Sequence, residues 1–363
     1  MQPPGMWIHG IGLTTPLGDH PPAVAAAVRA GLSRRSESAW LNHRGDPMIV
    51  SQIPDAALPP LVDALAGHNA HNDPDARYAR HRRLLRLATV ALQQAVAALQ
   101  APPELPLLLA VPESHPALAA LDPGALLADL RTQTGVPLAL GRSSLAYHGR
   151  AGALAALVDA HARPHDPKRP FVLVGGLDTY LDPELLAALD HERRVQAVGI
   201  RDGFAPGEGA AFLLLSHRQI LTGSRARIFV SLPALGHEPG HRHSGAPLLG
   251  DGLADAVREA VKHTPPATIR SVHASLNGEH DGAREWGVAA VRSRDAFADD
   301  LRVEHPADCL GDPGAAMAPT LIALVAAGLE RATFTGPALV WCASDGPLRA
   351  AAVIDDHPLP GMT

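Results

Sequence analysis

Short apolar runs alternate along this chain with segments whose apolar residues recur every three to four positions. In the first part, Trp7–Leu13, Met48–Ile53, Leu105–Val111, Phe171–Val174 and Ala211–Leu215 are continuous apolar runs bounded by Gly, Pro or polar residues. That is the pattern of strands buried in a sheet. Between them Pro21–Ala30, Arg80–Leu99, Pro123–Thr132 and Gly149–Ala162 carry helical spacing. In the second of these, Leu84, Leu87, Ala88, Ala91, Leu92, Ala95, Val96 and Leu99 fall on one face. Its N-terminal end is basic (Arg80, His81, Arg82, Arg83, Arg86), which reads as a solvated face.

The scheme repeats. Ile228–Leu232, Ile269–Leu276, Leu339–Trp341 and Ala350–Ile354 read as strands, and Asp251–Val261, Asp281–Val291 and Gly314–Leu329 as helices. Strands alternating with helices predict an α/β fold with mostly parallel sheets and helices outside. Each half ends in an apolar strand after a Gly-rich or Ser/Gly turn. Two pseudo-symmetric halves follow, residues 1–220 and 221–363, joined near His217–Arg225. Gly67–Asp75 and Arg163–Arg169 read as exposed loops.

Composition narrows this picture. The chain has 363 residues, 46% hydrophobic and 19% charged, enough for a large core in one large domain or two ordinary ones. A net charge of −6 leaves no global basic field to hold nucleic acid. Polar residues, Gly or Pro interrupt every apolar stretch well before a span of ~20 residues, so no membrane insertion is expected. Met1–Gly18 lacks a basic region followed by an apolar core, so no signal peptide is read there. Cys309 and Cys342 are too few for a disulfide framework and fit a reducing cytoplasm. The richness in Ala, Arg and Pro has the look of GC-rich coding bias, which inflates apparent helicity.

Four motifs occur in a telling order. Gly10-Ile11-Gly12-Leu13-Thr14-Thr15-Pro16-Leu17-Gly18 opens the chain. Arg201-Asp202-Gly203-Phe204-Ala205-Pro206-Gly207-Glu208-Gly209-Ala210-Ala211 precedes an apolar strand, its glycines suited to tight turns and close strand approach. Gly236–Pro247 leads into the helical Asp251–Val261, and Gly314-Ala315-Ala316 opens the last helix. In this order the motifs resemble those of β-ketoacyl synthases, over nearly the whole chain. The resemblance implies the thiolase fold, two αβ halves forming a five-layered α-β-α-β-α sandwich, usually dimeric, with a site where the halves meet. The chain is somewhat shorter than a typical ketosynthase, implying trimmed insertions around the pocket.

The same resemblance implies where catalytic groups should stand, and they are missing. A ketosynthase needs a thiolate at a strand-to-helix elbow, where the helix N-terminus lowers the thiol pKa and backbone amides hold the oxyanion. The matching stretch, Ser144-Leu145-Ala146-Tyr147-His148-Gly149, places Ala146 at the nucleophile position, with a slip of two or three residues open. No Cys lies between Met1 and Ala307. Ser143 and Ser144 are alternative nucleophiles only if a base is at hand. Otherwise they are strand-end serines bonded to backbone. The first histidine position falls on Asn277, which donates a hydrogen bond but cannot exchange a proton. His280, three residues on, heads a helix and faces solvent. The second falls on Gly311 or Asp312. The late glycine loop is replaced by Ala343-Ser344-Asp345-Gly346-Pro347, where proline removes an amide donor. Tyr147 and His148 would narrow or fill an acyl channel. The candidate pocket is therefore Ser144, Tyr147, His148, Phe204, Asn277, Ser344 and Asp345, with no catalytic residue, cofactor or metal assigned.

Other clusters read as structural. His237, His241 and His243 form a loop H-x3-H-x-H, but twenty histidines make chance clusters common and no metal is assigned. Cys309 reads as a small buried hydrophobe. Asp345 with Arg349, and Arg201 with Asp202, read as ion-pair ties at strand ends. Losing the whole constellation leaves binding without Claisen chemistry. The chain thus resembles stand-alone, non-catalytic ketosynthase-like accessory proteins encoded in type VI secretion effector clusters. The expected partner is a protein, a secreted effector or its chaperone, bound by a cytoplasmic homodimer. Two alternatives stay open: a residual enzyme on acyl carrier protein thioesters (decarboxylase or acyltransferase), and a partner subunit similar to a chain-length factor.

Overall fold

The computed structural model describes residues 4–66, 76–200, 202–221 and 227–357. The expected loop Gly67–Asp75, Arg201 and most of the tail of the expected join (222–226) lie outside the described residues. The elements in chain order are β1 (Gly5–Thr14), α1 (Pro21–Arg29), β2 (Ser36–Leu41), β3 (Pro47–Val50), α2 (Asp63–Ala66), α3 (Ala76–Val96), β4 (Leu107–Ala110), α4 (Pro123–Thr134), β5 (Ser144–Ala146), α5 (Gly152–Ala162), β6 (Phe171–Thr179), α6 (Pro183–His191) and β7 (Glu208–Ser216). They continue as β8 (Phe229–Ser231), β9 (Ala234–His237), α7 (Asp251–Ala260), β10 (Ile269–Ala274), α8 (His280–Arg292), β11 (Phe297–Glu304), α9 (Ala307–Leu310), α10 (Met317–Glu330), β12 (Ala338–Ala343) and β13 (Leu348–Asp355). None of the described helices is long and apolar enough to cross a membrane.

Read outward from the β1–β8 seam, the strands run β1-β7-β6-β4-β5 on one side and β8-β13-β12-β10-β11 on the other. The two sides match in direction as well as order. β6 and β12 are antiparallel to β7 and β13, while β4 and β10 are parallel to both their neighbours. The sheets are thus mixed rather than mostly parallel. A four-residue turn joins β12 to β13, and so short a link can only reverse the chain. The run Met48–Ile53 is corrected too: β3 pairs with β2 in a separate two-stranded hairpin.

Side-chain alternation builds the layers. On β7, Ala211, Leu213 and Leu215 face a central core with α5 and α10, whereas Ala210, Phe212 and Leu214 face α3 and α4. On β12, Val340 and Cys342 face the central core, and Leu339 and Trp341 face the layer of α7. The order is α3/α4, first sheet, α5/α10, second sheet, α7/α8. A helix in the middle layer has no solvent face, so it must be apolar all round; α10 is buried from Met317 to Gly328. The opening motif has a matching cause. A Cβ on Gly10 or Gly12 would stand 2.0 or 1.9 Å from the carbonyl oxygen of Ala95 or Ala91, because α3 lies directly on β1.

Candidate functional site

The middle helices α5 and α10 both begin at glycine turns where the halves meet. β5 ends at Ala146, and the chain turns through Tyr147 and His148 to Gly149, whose φ is +53°. A tight 3-10 turn, Gly149–Ala151, then feeds α5. In the other half Gly311 (φ +68°) and Gly314 (φ +55°) lead through Gly314–Ala316 into α10. The strained residue of a nucleophile elbow is where the reactive side chain projects. Here that residue is Gly149, three positions past Ala146, and neither position carries a nucleophile. A Cβ on Gly149 would meet Glu113 Cγ at 3.2 Å and Oε2 at 3.3 Å. The carboxylate of Glu113 accepts from the amides of Asp345 (3.0 Å) and Gly346 (2.9 Å). Glu113 thus lies over Gly149 and takes up two amides of the turn between β12 and β13.

Behind Glu113 lies a continuous network of charge. Arg150, 5% exposed, donates from Nε to Asp312 Oδ2 (2.7 Å) and from Nη1 to Asp345 Oδ1 (2.8 Å). Asp312 is fully buried; its Oδ2 also accepts from Asn277 Nδ2 (2.9 Å), and its Oδ1 from the amide of Gly314 (2.9 Å). Asn277 Nδ2 bonds Glu279 Oε2 as well (3.1 Å). Arg194 then grips Glu279 through Nε (2.9 Å) and Asp345 through Nη1 (2.8 Å), and Arg242 reaches Glu279 (2.9 Å). Phe204 is completely buried beneath, its ring centroid 5.8 Å from the guanidinium of Arg150 and 5.2 Å from that of Arg194, distances at which ring and cation attract. Burial pushes the Asp345 carboxyl up, but Arg150 and Arg194 outweigh it and hold it well below the carboxylate range. Burial likewise raises Glu279, and Arg194 and Arg242 bring it below its ordinary value.

These groups are ion-paired and hydrogen-bonded to one another, which is how buried charge is tolerated. The cleft they line has a volume of about 50 Å³, room for a few waters. Asn277 is bonded to Asp312 within it.

The candidate pocket residues divide. Asn277, Ser344 and Asp345 line this cleft, and Phe204 underlies it. Tyr147 and His148 leave it: the phenol donates to the carbonyl of Leu121 (3.1 Å) and packs on the outer core, while His148 is exposed. Ser144 is exposed, and the Ser143 hydroxyl bonds the carbonyl of Ala139. Gly311 makes the turn before Asp312. Asp345 does not pair with Arg349, which grips Glu285 on α8 (Nη2 to Oε1, 2.7 Å) and the carbonyls of Ser344 and Gly346. Asp202 pairs with the exposed His280 (2.8 Å), and the expected Arg201–Asp202 tie lies outside the described residues. Cys309 is buried. The H-x3-H-x-H loop does not assemble a ligand set among the described residues.

Reasoning from the sequence missed Glu113, Arg150, Arg194, Arg242 and Glu279. The readable signal was an arginine inside an otherwise apolar helix start, Gly149–Ala162. The basic end of α3 is corrected as well. Arg83 donates to the fully buried Glu208 (Nε to Oε2, 2.7 Å), and Arg80, 8% exposed, to Asp178 (3.2 Å). Arg86 reaches Asp55 (2.6 Å). This turn ties Glu208 of the glycine motif and Asp178 of β6 together instead of facing solvent. Burial pushes the Asp178 carboxyl up to about 6 despite Arg80.

No family model and no curated protein sequence matches the chain. Solved structures do. The fold is similar to the ketosynthase from module 6 of the bacillaene synthase from Bacillus subtilis 168, at 14% identity and TM-score 0.73, over 97% of this chain and 72% of that one. It is also similar to a Xenorhabdus doucetiae structure of the ketosynthase ApeO in complex with its chain length factor ApeC (16% identity, TM-score 0.71, 97% and 98% covered). A third is AntDE:AntF, a type II PKS acyl-carrier protein in complex with its ketosynthase (15% identity, TM-score 0.72, 98% and 99% covered). At such identities the likeness establishes the fold, which is that of ketosynthases.

Proposed function

We propose that this chain is a non-catalytic ketosynthase-fold protein that acts by binding another protein, as a cytoplasmic homodimeric adaptor for a secreted effector of a type VI secretion system. One observation supports the non-catalytic part: the positions that the family resemblance gives to the elbow and the two histidines are held in a hydrogen-bonded network, Glu113–Asp345–Arg150–Asp312–Asn277, of which Arg150 and Asp312 are buried and the rest half-buried. A fold kept with its chemistry replaced retains its surfaces as its means of action. The secretion assignment rests on the resemblance read from the sequence motifs, and cytoplasmic residence on a chain with only two cysteines.

The test has two arms. Purified protein is incubated with malonyl- and acyl-carrier-protein thioesters and followed by intact mass. The expected result is no acyl adduct and no decarboxylation. Turnover that falls with His148→Ala would instead establish a residual thioester enzyme. A native pull-down is then expected to recover an effector or its chaperone, and recovery of no protein partner overturns the adaptor reading.

A second reading rests on a separate observation. Two of the similar structures are ketosynthase/chain length factor complexes, and in each the fold of this chain covers nearly all of one matched chain, 98% and 100%. A partner-subunit role predicts a heterodimer when the chain is coexpressed with a ketosynthase. A homodimer that ignores the synthase in size-exclusion chromatography with light scattering removes it.

A further inference from the structure

Away from the charged seam, a cavity of about 240 Å³ opens at the edge of the second sheet, between α1, the β10–β11 edge and the segment after α10. Local geometry decides what faces it. Val28 and Arg29 lie three and four residues after Ala25 on α1, so all three share one side of that helix. On the sheet side Arg302 stands opposite Ser271, and Glu304 opposite His273, in the parallel β10–β11 register, so these pairs share a face. The back wall is apolar, formed by Val28, Leu324 and Phe334. It is also fixed in place: a Cβ on Gly328 of α10 would stand 2.3 Å from the Phe334 ring, because the ring lies directly against that helix.

The rest of the lining is polar and carries three arginines against two carboxylates. Arg270 is neutralised by Asp300 (2.6 Å). Arg29, Arg302 and Glu304 have no ion-pair partner among the described residues, which leaves an excess of one positive charge. Both free arginines are exposed, where a single ion pair is worth little. Beside a low-dielectric wall, however, charges of one sign concentrate their field in the cleft. A guanidinium also matches the two oxygens of a carboxylate. A cavity of ~150 Å³ is enough to hold benzene, so this one has room for a single ring with a carboxylate on it. One excess positive charge matches a monoanion, whereas a dianion would set its second charge against Glu304.

We propose that this cavity binds a small aromatic monocarboxylate, its ring against Val28, Leu324 and Phe334 and its carboxylate at Arg29 and Arg302. The probes are benzoate, benzamide and benzamidine, which share a shape and carry a negative, no and a positive charge, titrated calorimetrically into the full chain near neutral pH. Benzoate should bind about tenfold tighter than benzamide, the worth of two exposed charge pairs, and benzamidine should not bind. Added salt should shrink the advantage of benzoate. Arg29→Gln and Arg302→Gln should each weaken benzoate about threefold and leave benzamide unchanged. Neither arginine has an ion-pair partner to lose, so an unchanged melting temperature is expected of both variants. Equal affinities for benzoate and benzamide, or no binding of benzoate at millimolar concentration, overturn the proposal. So does acetate binding as tightly as benzoate, which would leave the ring without a role, or phenyl phosphate binding more tightly, which would make the ligand a dianion. Benzoate affinity that survives the double variant Arg29→Gln/Arg302→Gln puts the ligand elsewhere and overturns it as well.

Discussion

Asp312 shows what replaced the chemistry. It is fully buried and holds Arg150, Asn277 and the Gly314 amide at once. Removing one partner of such a pair strands a charge, whereas replacing both with apolar groups does not. Asp312→Ala should therefore cost ~3–5 kcal/mol in urea unfolding, and the double variant Arg150→Met/Asp312→Leu should recover most of that loss. Recovery that fails would mean the pair contributes more than mutual compensation. His273 gives the pH dependence its sign. Its folded pKa, about 4, lies below the unfolded value of 6.5, so the unfolded chain takes the proton first. The facing groups are Ser271, Arg29 of α1, the Arg270–Asp300 pair, Arg302 and Glu304. Stability is full above pH 6.5 and falls as pH drops toward 4, by up to roughly 3 kcal/mol. His273→Phe should flatten that window in pH-dependent thermal unfolding. Asp345 and Glu279, whose pKa values are depressed, act in a lower window: their contribution is present above the ordinary carboxylate range and lost on further acidification.

At the scale of elements, what was legible in the sequence follows from burial. Runs buried on both sides, such as Trp7–Leu13 and Ala211–Leu215, are apolar but for His9 and fall within β1 and β7. β11 (FADDLRVE) was not readable, because an edge strand is protected by the charges that disguise it. β5 is only three residues long and shows no period. α6 had a signal that went unused: Asp182 caps it, with Pro183 at its first turn. In the site, the loss of cysteine and histidines was plain in the sequence, while the replacement was not. Its members come from seven segments, and ion-pair partners so far apart leave no local spacing. The turn after β12 makes the point testable. Arg349 bonds the carbonyls of Ser344 and Gly346 and is neutralised by Glu285 of α8. Arg349→Met should leave the strands intact but speed amide hydrogen exchange at 344–347 and in the first turns of α8 at least tenfold, because local opening follows the loss of local ties. Uniform acceleration across β12 and β13 would show that the residue supports the whole sheet instead.

On the scale of the molecule, the pseudo-symmetry of the strands conceals a single core. One cluster contains Ile8, Leu108 and Leu213 from the first half with Leu321, Val340 and Ile354 from the second. β1 pairs with β8 across the seam, and Arg150 of one half is neutralised by Asp312 and Asp345 of the other. Neither half could close alone, since without α10 the inward faces of β6 and β7 and one side of α5 would meet water. Apolar surface of that extent cannot be left exposed by a marginally stable fold. The chain should therefore unfold in one transition despite its length, with calorimetric and van't Hoff enthalpies in agreement. The segment 4–220 expressed alone should give no cooperative transition. If it melts cooperatively and keeps dispersed amide resonances, the halves are independent domains, and the charged seam between them becomes a docked interface rather than part of one core.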